Sequence, residues 1–205
     1  MILPFFTLEK TDVTTKMKTL FAAVMTLGVL GSAQAAPVTY EVDSSHTHAG
    51  YSLSHLGFST LSGRFNDTKG SVVLDQAKKT GSVDIVIKTA SQDSGWAARD
   101  KHIASPDFLD VEKYPTITFK SDKFTFNGDK LAAVDGQLSL HGVTKPVTLT
   151  VTNFKCVDSH PMAKKPWCGA DATATIKRSE FGVGAYAPAV GDDLQLSITI
   201  EAGKK

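Results

Sequence analysis

Apolar residues recur at every second position in one short segment after another along this chain. Tyr40 and Val42 alternate with polar neighbours, as do Ala49, Tyr51, Leu53 and His55. The same period governs Val83, Ile85 and Ile87, then Ile117 and Phe119, then Phe124 and Phe126. It returns in Leu138 and Leu140, in Val147, Leu149 and Val151, and in Leu194, Leu196, Ile198 and Ile200. Successive side chains of a strand point to opposite faces, so this period makes half-buried strands of antiparallel sheets with one covered face. Asn127-Gly128-Asp129 is a strong hairpin signal, Lys78-Lys79-Thr80-Gly81 a second one, and residues 141–146 separate two further strands. About eight or nine strands at this spacing predict a sandwich or an up-and-down barrel. Residues 94–110 break the pattern: Ser94 can cap a helix through Trp96-Ala97-Ala98-Arg99, and Ser105-Pro106-Asp107 offers an N-cap followed by proline at the first helical position. A short helical excursion carrying Trp96, Phe108 and Leu109 therefore interrupts an otherwise all-β chain. With no internal repeat, low-complexity segment or linker, the strands read as one domain.

The N-terminus reads as an address. Lys16 and Lys18 precede an uncharged apolar run over residues 19–31, and Ala33-Gln34-Ala35 follows. This is the positive region, short apolar core and small-x-small cleavage site of a secretory signal. Residues 1–35 are thus expected to be removed by cleavage after Ala35, leaving 36–205 as the exported domain. Met17 makes a better signal start than Met1, which makes residues 1–16 an upstream stretch of a misassigned start on one of two readings. The apolar run falls short of the ~20 residues a spanning helix needs. Without residues 1–35, basic and acidic residues balance at 19 each, against 22 and 21 in the whole chain. No basic surplus is available for nucleic acid, which calls for a concentrated positive surface. Export also bears on Cys156 and Cys168, because an oxidising compartment favours joining a lone pair. A metal site including His160 is the alternative, and it lacks a fourth ligand.

Familiar catalytic signatures are missing: there is no phosphate-binding loop, no Gly-x-Ser-x-Gly elbow and no His-Glu-x-x-His. Gly182-Val183-Gly184 echoes a dinucleotide turn without the βαβ unit around it. His46 and His48, two apart, would share one face of a strand and could serve a transition metal. Asp100 could orient His102 as a general base. Against both, no third group is fixed by spacing, and His55, His102 and His141 read as partners of turns and loops at the sheet edges. Arg99 and Asp100 read as a buried pair tying the helical excursion to the rim. No catalytic residue, metal or cofactor is assigned on this reading.

A set of motifs in order along the chain is more specific. Asp43 with His46-Thr47, the alternating Ala49, Tyr51 and Leu53, and His55-Leu56-Gly57 resemble the opening signature of the YceI-like family. Thr47 stands where the family's pair usually has serine, and Tyr51 where phenylalanine is common. The run from Arg99-Asp100-Lys101-His102 through Ser105-Pro106-Asp107-Phe108-Leu109-Asp110 resembles the central motif, continued by Tyr114-Pro115 and Phe119-Lys120-Ser121. Gly136, Leu138, Leu140-His141-Gly142-Val143-Thr144-Lys145-Pro146-Val147, Arg178, Phe181-Gly182 and Gly191-Asp192 extend the match across the domain. The resemblance implies a lipocalin-like, extended antiparallel β-barrel in the periplasm that binds a polyisoprenoid chain such as an isoprenoid quinone, with no defined catalytic reaction. The segment between Cys156 and Cys168 is similar to an elaboration found in part of the family.

Alternation parity then nominates an apolar lining: Tyr51, Leu53, Ile85, Ile87, Phe119, Phe126, Leu138, Leu140, Leu149, Leu196 and Ile198, with Trp96, Phe108 and Leu109 bordering the mouth. A single bulge would invert a strand's assignment. An eight-stranded barrel encloses room for one small ligand, and burial supplies about 0.8 kcal/mol per CH₂ without charged contacts. The lipid is the implied partner, with transient membrane contact for its exchange; a homodimer through the open mouth is compatible with the pattern and not required by it. Two alternatives stay open: a metal-binding or catalytic protein using His46/His48 or Asp100/His102, and a stress-related structural module with a solid core and no ligand.

Overall fold

The alternating segments are strands, and the turns between them follow the local chemistry. The computed structural model describes residues 36–205; the expected signal segment, its cleavage site and the alternative start at Met17 lie outside the described residues. In chain order the strands are β1 (Val38–Val42), β2 (His48–His55), β3 (Ser59–Phe65), β4 (Thr68–Asp75), β5 (Thr80–Lys88) and β6 (Gln92–Asp93). A helix, α1 (Ala97–Ile103), follows, and then β7 (Thr116–Asn127), β8 (Lys130–Leu140), β9 (Val143–Val157), β10 (Trp167–Lys177) and β11 (Asp193–Lys204). Gly128 at φ +61° opens the two-residue turn between β7 and β8. His141 and Gly142, at φ 52° and 78°, make the corresponding turn between β8 and β9, where both central residues need positive φ.

Antiparallel pairing runs β1–β4–β5–β7–β8–β9–β10–β11, and β11 pairs back onto β1, closing an eight-stranded barrel. The remaining strands explain why the barrel is long. The first part of β11 pairs with β2 (Gln195 opposite Ser52) and its last part with β1 (Ala202 opposite Val42). β2 carries β3, and β3 is joined at Arg64 and Phe65 by β6, which continues from β5 through a 3-10 turn over Thr89–Ser91. The wall is therefore completed by β1 and β4 in the lower half and by β2, β3 and β6 in the upper half. The closed ring has the eight strands expected; β2, β3 and β6 lie outside it and bring the described strands to eleven, and β3, β4, β6 and β10 carry too few large alternating apolar residues to announce themselves.

Bulges decide which residues face inward. β7 shifts register between Lys120 and Lys123, so Ile117 and Phe119 share the interior with Phe124. On β9 an extra residue, Thr152, lies opposite the junction of Asp171 and Ala172, so the inward series passes from Val151 to Phe154. At the lower end Tyr40, Leu74 and Ala202 are buried together, and Phe126 and Phe154 pack on them. The disulfide between Cys156 and Cys168, with Cα atoms 4.1 Å apart, joins residues directly opposite across β9 and β10 and lies against this plug. His160 is not a ligand of those sulfurs: its Nδ1 accepts from the backbone of Met162 and Ala163, and its ring stacks on Trp167.

The helical excursion is shorter than expected and differently capped. α1 has seven residues with Trp96 at its N-cap position, and Ser94 hydrogen-bonds Asp100 instead of capping. Residues 104–109 form consecutive turns rather than a second helix led by Pro106. Arg99 and Asp100 are not a direct ion pair; both are held through Ser94, whose Oγ and carbonyl accept from Arg99 at 2.9 and 2.7 Å.

Candidate functional site

Above the plug the barrel is hollow. A cavity of about 660 Å³ runs along its axis, lined by residues from every strand of the closed ring and from β2 and β3. On β11 the lining runs from Leu194 through Leu196, Ile198 and Ile200 to Ala202, a span of about 26 Å at strand rise. Tyr51, Leu53, Ile85, Ile87, Phe108, Leu109, Phe119, Leu138, Leu140, Leu149, Leu196 and Ile198, all expected from parity or position, lie on its wall. Two expected residues do not. Phe126 faces inward but sits in the lower plug, because parity fixes the face of a strand and not the height along it. Trp96 is 62% exposed, turned out from the start of α1.

The room comes from a wall of small side chains that large-residue alternation does not reveal. Ala170 and Ala172 on β10 point inward between Phe154 and Val151 on β9 and Ile200 and Ile198 on β11. Phe65, Phe124, Leu131, Val134 and Phe154 also line the cavity without having been nominated. Of these, Phe124 carried a visible alternation with Phe126, whereas Leu131 and Val134 straddle a bulge on β8 that hides their common face.

Polar groups gather toward the upper end. Asp100 accepts from the Ser94 backbone N–H at 2.7 Å and from the Ser94 hydroxyl, which with a further hydrogen bond from Gln92 holds its carboxyl below the ordinary value. The Gln92 Nε2 that donates to Asp100 at 3.1 Å also donates to the Tyr51 hydroxyl at 2.9 Å. Burial pushes the Tyr51 phenol up, so it stays protonated. The Tyr51 ring lies across Gly63 of β3, where any Cβ would collide with it. Arg178, 3% exposed, donates to the carbonyls of Gly191, Val183 and Val190 at 2.8, 2.7 and 2.7 Å, pinning the connection from β10 to β11 at the mouth. Desolvation lowers its pKa against the opposing charge of Asp192, and the three backbone carbonyls satisfy the buried guanidinium.

The histidine pairs do not come together as chemical sites. His46 is held by Asp43 at 2.7 Å on the outer surface, whereas His48 lines the cavity. His102 packs on Phe108 and Tyr186, with Asp107 as its carboxylate neighbour at 4.0 Å, while Asp100 is turned to Ser94 and Gln92. His55 bridges Val190, and His141 stacks on Tyr114. Among the described residues no three His, Cys, Asp or Glu side chains converge as a metal site. Leu56 and Tyr186 line the cavity yet are left exposed, and near them or α1 in the chain Phe58 and Trp96 are exposed by 88% and 62%. The backbone ties two of their segments together, since Leu56 N–H donates to Ala189 at 2.9 Å.

Comparison with known proteins places these features in a wider set. Residues 40–202 match the family model described as the YceI-like domain. A "UPF0312 protein" of Pseudomonas putida is 40% identical over 195 residues, covering 92% of this chain and 98% of that protein. Among solved structures, Burkholderia cenocepacia BcnA superposes with a TM-score of 0.65 at 27% identity, over 78% of this chain and 99% of its own. A domain from Saccharophagus degradans described as polyisoprenoid binding shares the fold, with a TM-score of 0.61 at 14% identity over 82% of this chain and 99% of that one.

Proposed function

The chain belongs to the YceI-like family, and from its interior we propose that it is a periplasmic carrier or sequestering protein for a polyisoprenoid lipid, such as an isoprenoid quinone. The observation that carries this reading is the long apolar cavity closed below by Tyr40, Leu74 and Ala202 and open above. A closed β-wall leaves no unpaired backbone inside, so an inserted chain meets side chains alone, and affinity grows with each buried methylene. The fold shared with a polyisoprenoid-binding domain is consistent with this, and the disulfide suits an oxidising compartment outside the cytoplasm. The exposed Leu56 and Tyr186 at the cavity, with the exposed Phe58 and Trp96, suit brief contact with a membrane surface during loading, since aromatic side chains favour the interface between headgroups and acyl chains.

The test is extraction of the purified protein with organic solvent, followed by mass spectrometry, and titration of the delipidated protein with a prenylquinone. The expected result is a prenyl lipid recovered near one per chain and its rebinding after removal. Repeated absence of such a lipid, together with no uptake of added prenylquinone, overturns the reading in favour of a structural module.

A further inference from the structure

The polar atoms at the upper end of the cavity have a direction. Asp100, ionised and therefore acceptor only, faces the Gln92 side-chain nitrogen at 3.1 Å. That contact fixes which end of the Gln92 amide points this way: the NH₂, with two protons, must stand between Asp100 and Tyr51. One proton goes to the carboxylate and the other to the phenol oxygen at 2.9 Å. The phenol oxygen is thereby an acceptor toward Gln92, and its own proton is left for something else. Among the described residues the bond from Gln92 is the only one to the Tyr51 hydroxyl. Tyr51 lines the cavity, with Leu196 on β11 as its register partner.

Resting on the carrier reading, we infer that the Tyr51 hydroxyl is a specificity-determining donor for the ligand's head, and that the head presents a neutral acceptor oxygen, as a quinone carbonyl does. Two further observations support that class. Among the described residues two carboxylates and one cation bear on the phenol, Asp100 and Asp93 against Arg99, whose guanidinium is held by Ser94. An anionic head such as a phosphate would meet those carboxylates, whereas a carbonyl would not. The height also fits. From Leu196, opposite Tyr51, down to Ala202 at the plug is about 20 Å of apolar wall at strand rise, so a head held at Tyr51 leaves the tail the whole lower cavity. Thr68 also lines the cavity, and among the described residues its buried hydroxyl has no hydrogen-bond partner at all. Nothing fixes the direction of that hydroxyl, which can donate or accept, so it imposes no such selection.

The experiment compares the full exported chain with Tyr51→Phe, which keeps the ring over Gly63 and removes the donor. Three probes are partitioned from detergent micelles: a prenylated benzoquinone, a polyprenyl hydrocarbon of equal length, and the matching polyprenyl phosphate. Wild-type protein is expected to prefer the quinone over the other two. Tyr51→Phe should weaken the quinone about 3- to 10-fold, the range of one net hydrogen bond, and leave the hydrocarbon within about 2-fold. The infrared carbonyl stretch of the bound quinone should lie lower in wild type than in the variant, a readout that packing alone does not move. Equal weakening of quinone and hydrocarbon, no change in either, or a phosphate bound as tightly as the quinone would each overturn the assignment while leaving the carrier reading standing. Binding of none of the three by wild type would remove the carrier reading and this inference with it.

Discussion

Replacing Ala170 by phenylalanine distinguishes a hollow barrel from a packed one by the sign of its effect. Ala170 projects inward on β10, between Phe154 and Ile200, near the lower end of the cavity. In a close-packed core, adding a ring there would force neighbouring side chains off their rotamers and cost about 1–3 kcal/mol. In an open cavity the ring enters unoccupied space and buries its own apolar surface, a gain of up to about 1.5–3 kcal/mol if it is fully covered. The delipidated variant should therefore be as stable as wild type or more so, with Tm unchanged or raised by a few degrees at about 2–4 °C per kcal/mol for a chain of this size. Binding should move the other way. A ring at this depth displaces the last isoprene unit of the tail, about five carbons at about 0.8 kcal/mol each, or close to a thousand-fold in affinity. Urea unfolding of delipidated proteins and partitioning of a prenylquinone from micelles measure the two effects separately. Destabilisation by more than about 2 kcal/mol with lipid uptake intact would refute the reasoning, because it would mean that the space beside Ala170 is already filled and that the ligand lies elsewhere.

Three further outcomes are expected. Cys156→Ser with Cys168→Ser opens a loop of 12-residue separation, and the chain-entropy argument gives a loss of about 3 kcal/mol, read from the urea midpoint under non-reducing conditions. Hydrogen bonds from Ser45 and His46 hold the Asp43 carboxyl at about 2 instead of 3.8, and the bond to Asp43 raises His46 above its ordinary 6.5. Asp43's share of stability is therefore full above pH 3.8 and lost toward pH 2, and His46's is full below pH 6.5 and lost as pH rises through its shifted value. The stability gap between wild type and Asp43→Asn should accordingly be widest from about pH 4 to 6.5 and narrow on both sides, and proton NMR should show the His46 pKa falling back in the variant. Phe58→Ser with Trp96→Ser should change stability by less than about 0.5 kcal/mol, since both side chains are exposed, yet slow transfer of prenylquinone from vesicles severalfold while affinity measured from micelles stays the same.

How far the chain could be read before its structure depended on what kind of contact was at issue. Faces were legible: β2, β5 and β11 carry unbroken alternation, and their inward residues stand where parity puts them. Even the bulge on β7 left a trace, since Ile117 and Phe119 sit at odd positions and Phe124 and Phe126 at even ones. The bulges on β8 and β9 left a weaker trace, one residue out of phase in each, Leu131 against Val134 and Phe154 against Val151, with too few large residues beyond the shift to fix a second series. β10 was hidden for the opposite reason: Ala170, Ala172 and Ala174 alternate faithfully with Asp171, Thr173 and Thr175, but alanine is too small to register as a buried strand. Its smallness is what leaves the interior open.

Polar contacts were the least legible, and Asp100 shows why. Its nearness in sequence to His102 suggested a dyad, but α1 turns the two apart, and the carboxylate bonds Ser94 and Gln92 ahead of the helix. Tyr51, read as one more member of an apolar alternation, stands 41 positions from Gln92 and meets it through the pairing of β3 with β6. Alternation placed the ring correctly and said nothing of its hydroxyl. What that hydroxyl can do follows from a charge two hydrogen bonds away: an acceptor-only carboxylate orients an amide, and the amide leaves the phenol proton free. Were Asp100 neutral, the Gln92 amide could turn its oxygen to Tyr51 and take that proton itself. The selectivity proposed for the cavity therefore rests on Asp100 remaining ionised, which the hydrogen bonds from Ser94 and Gln92 favour.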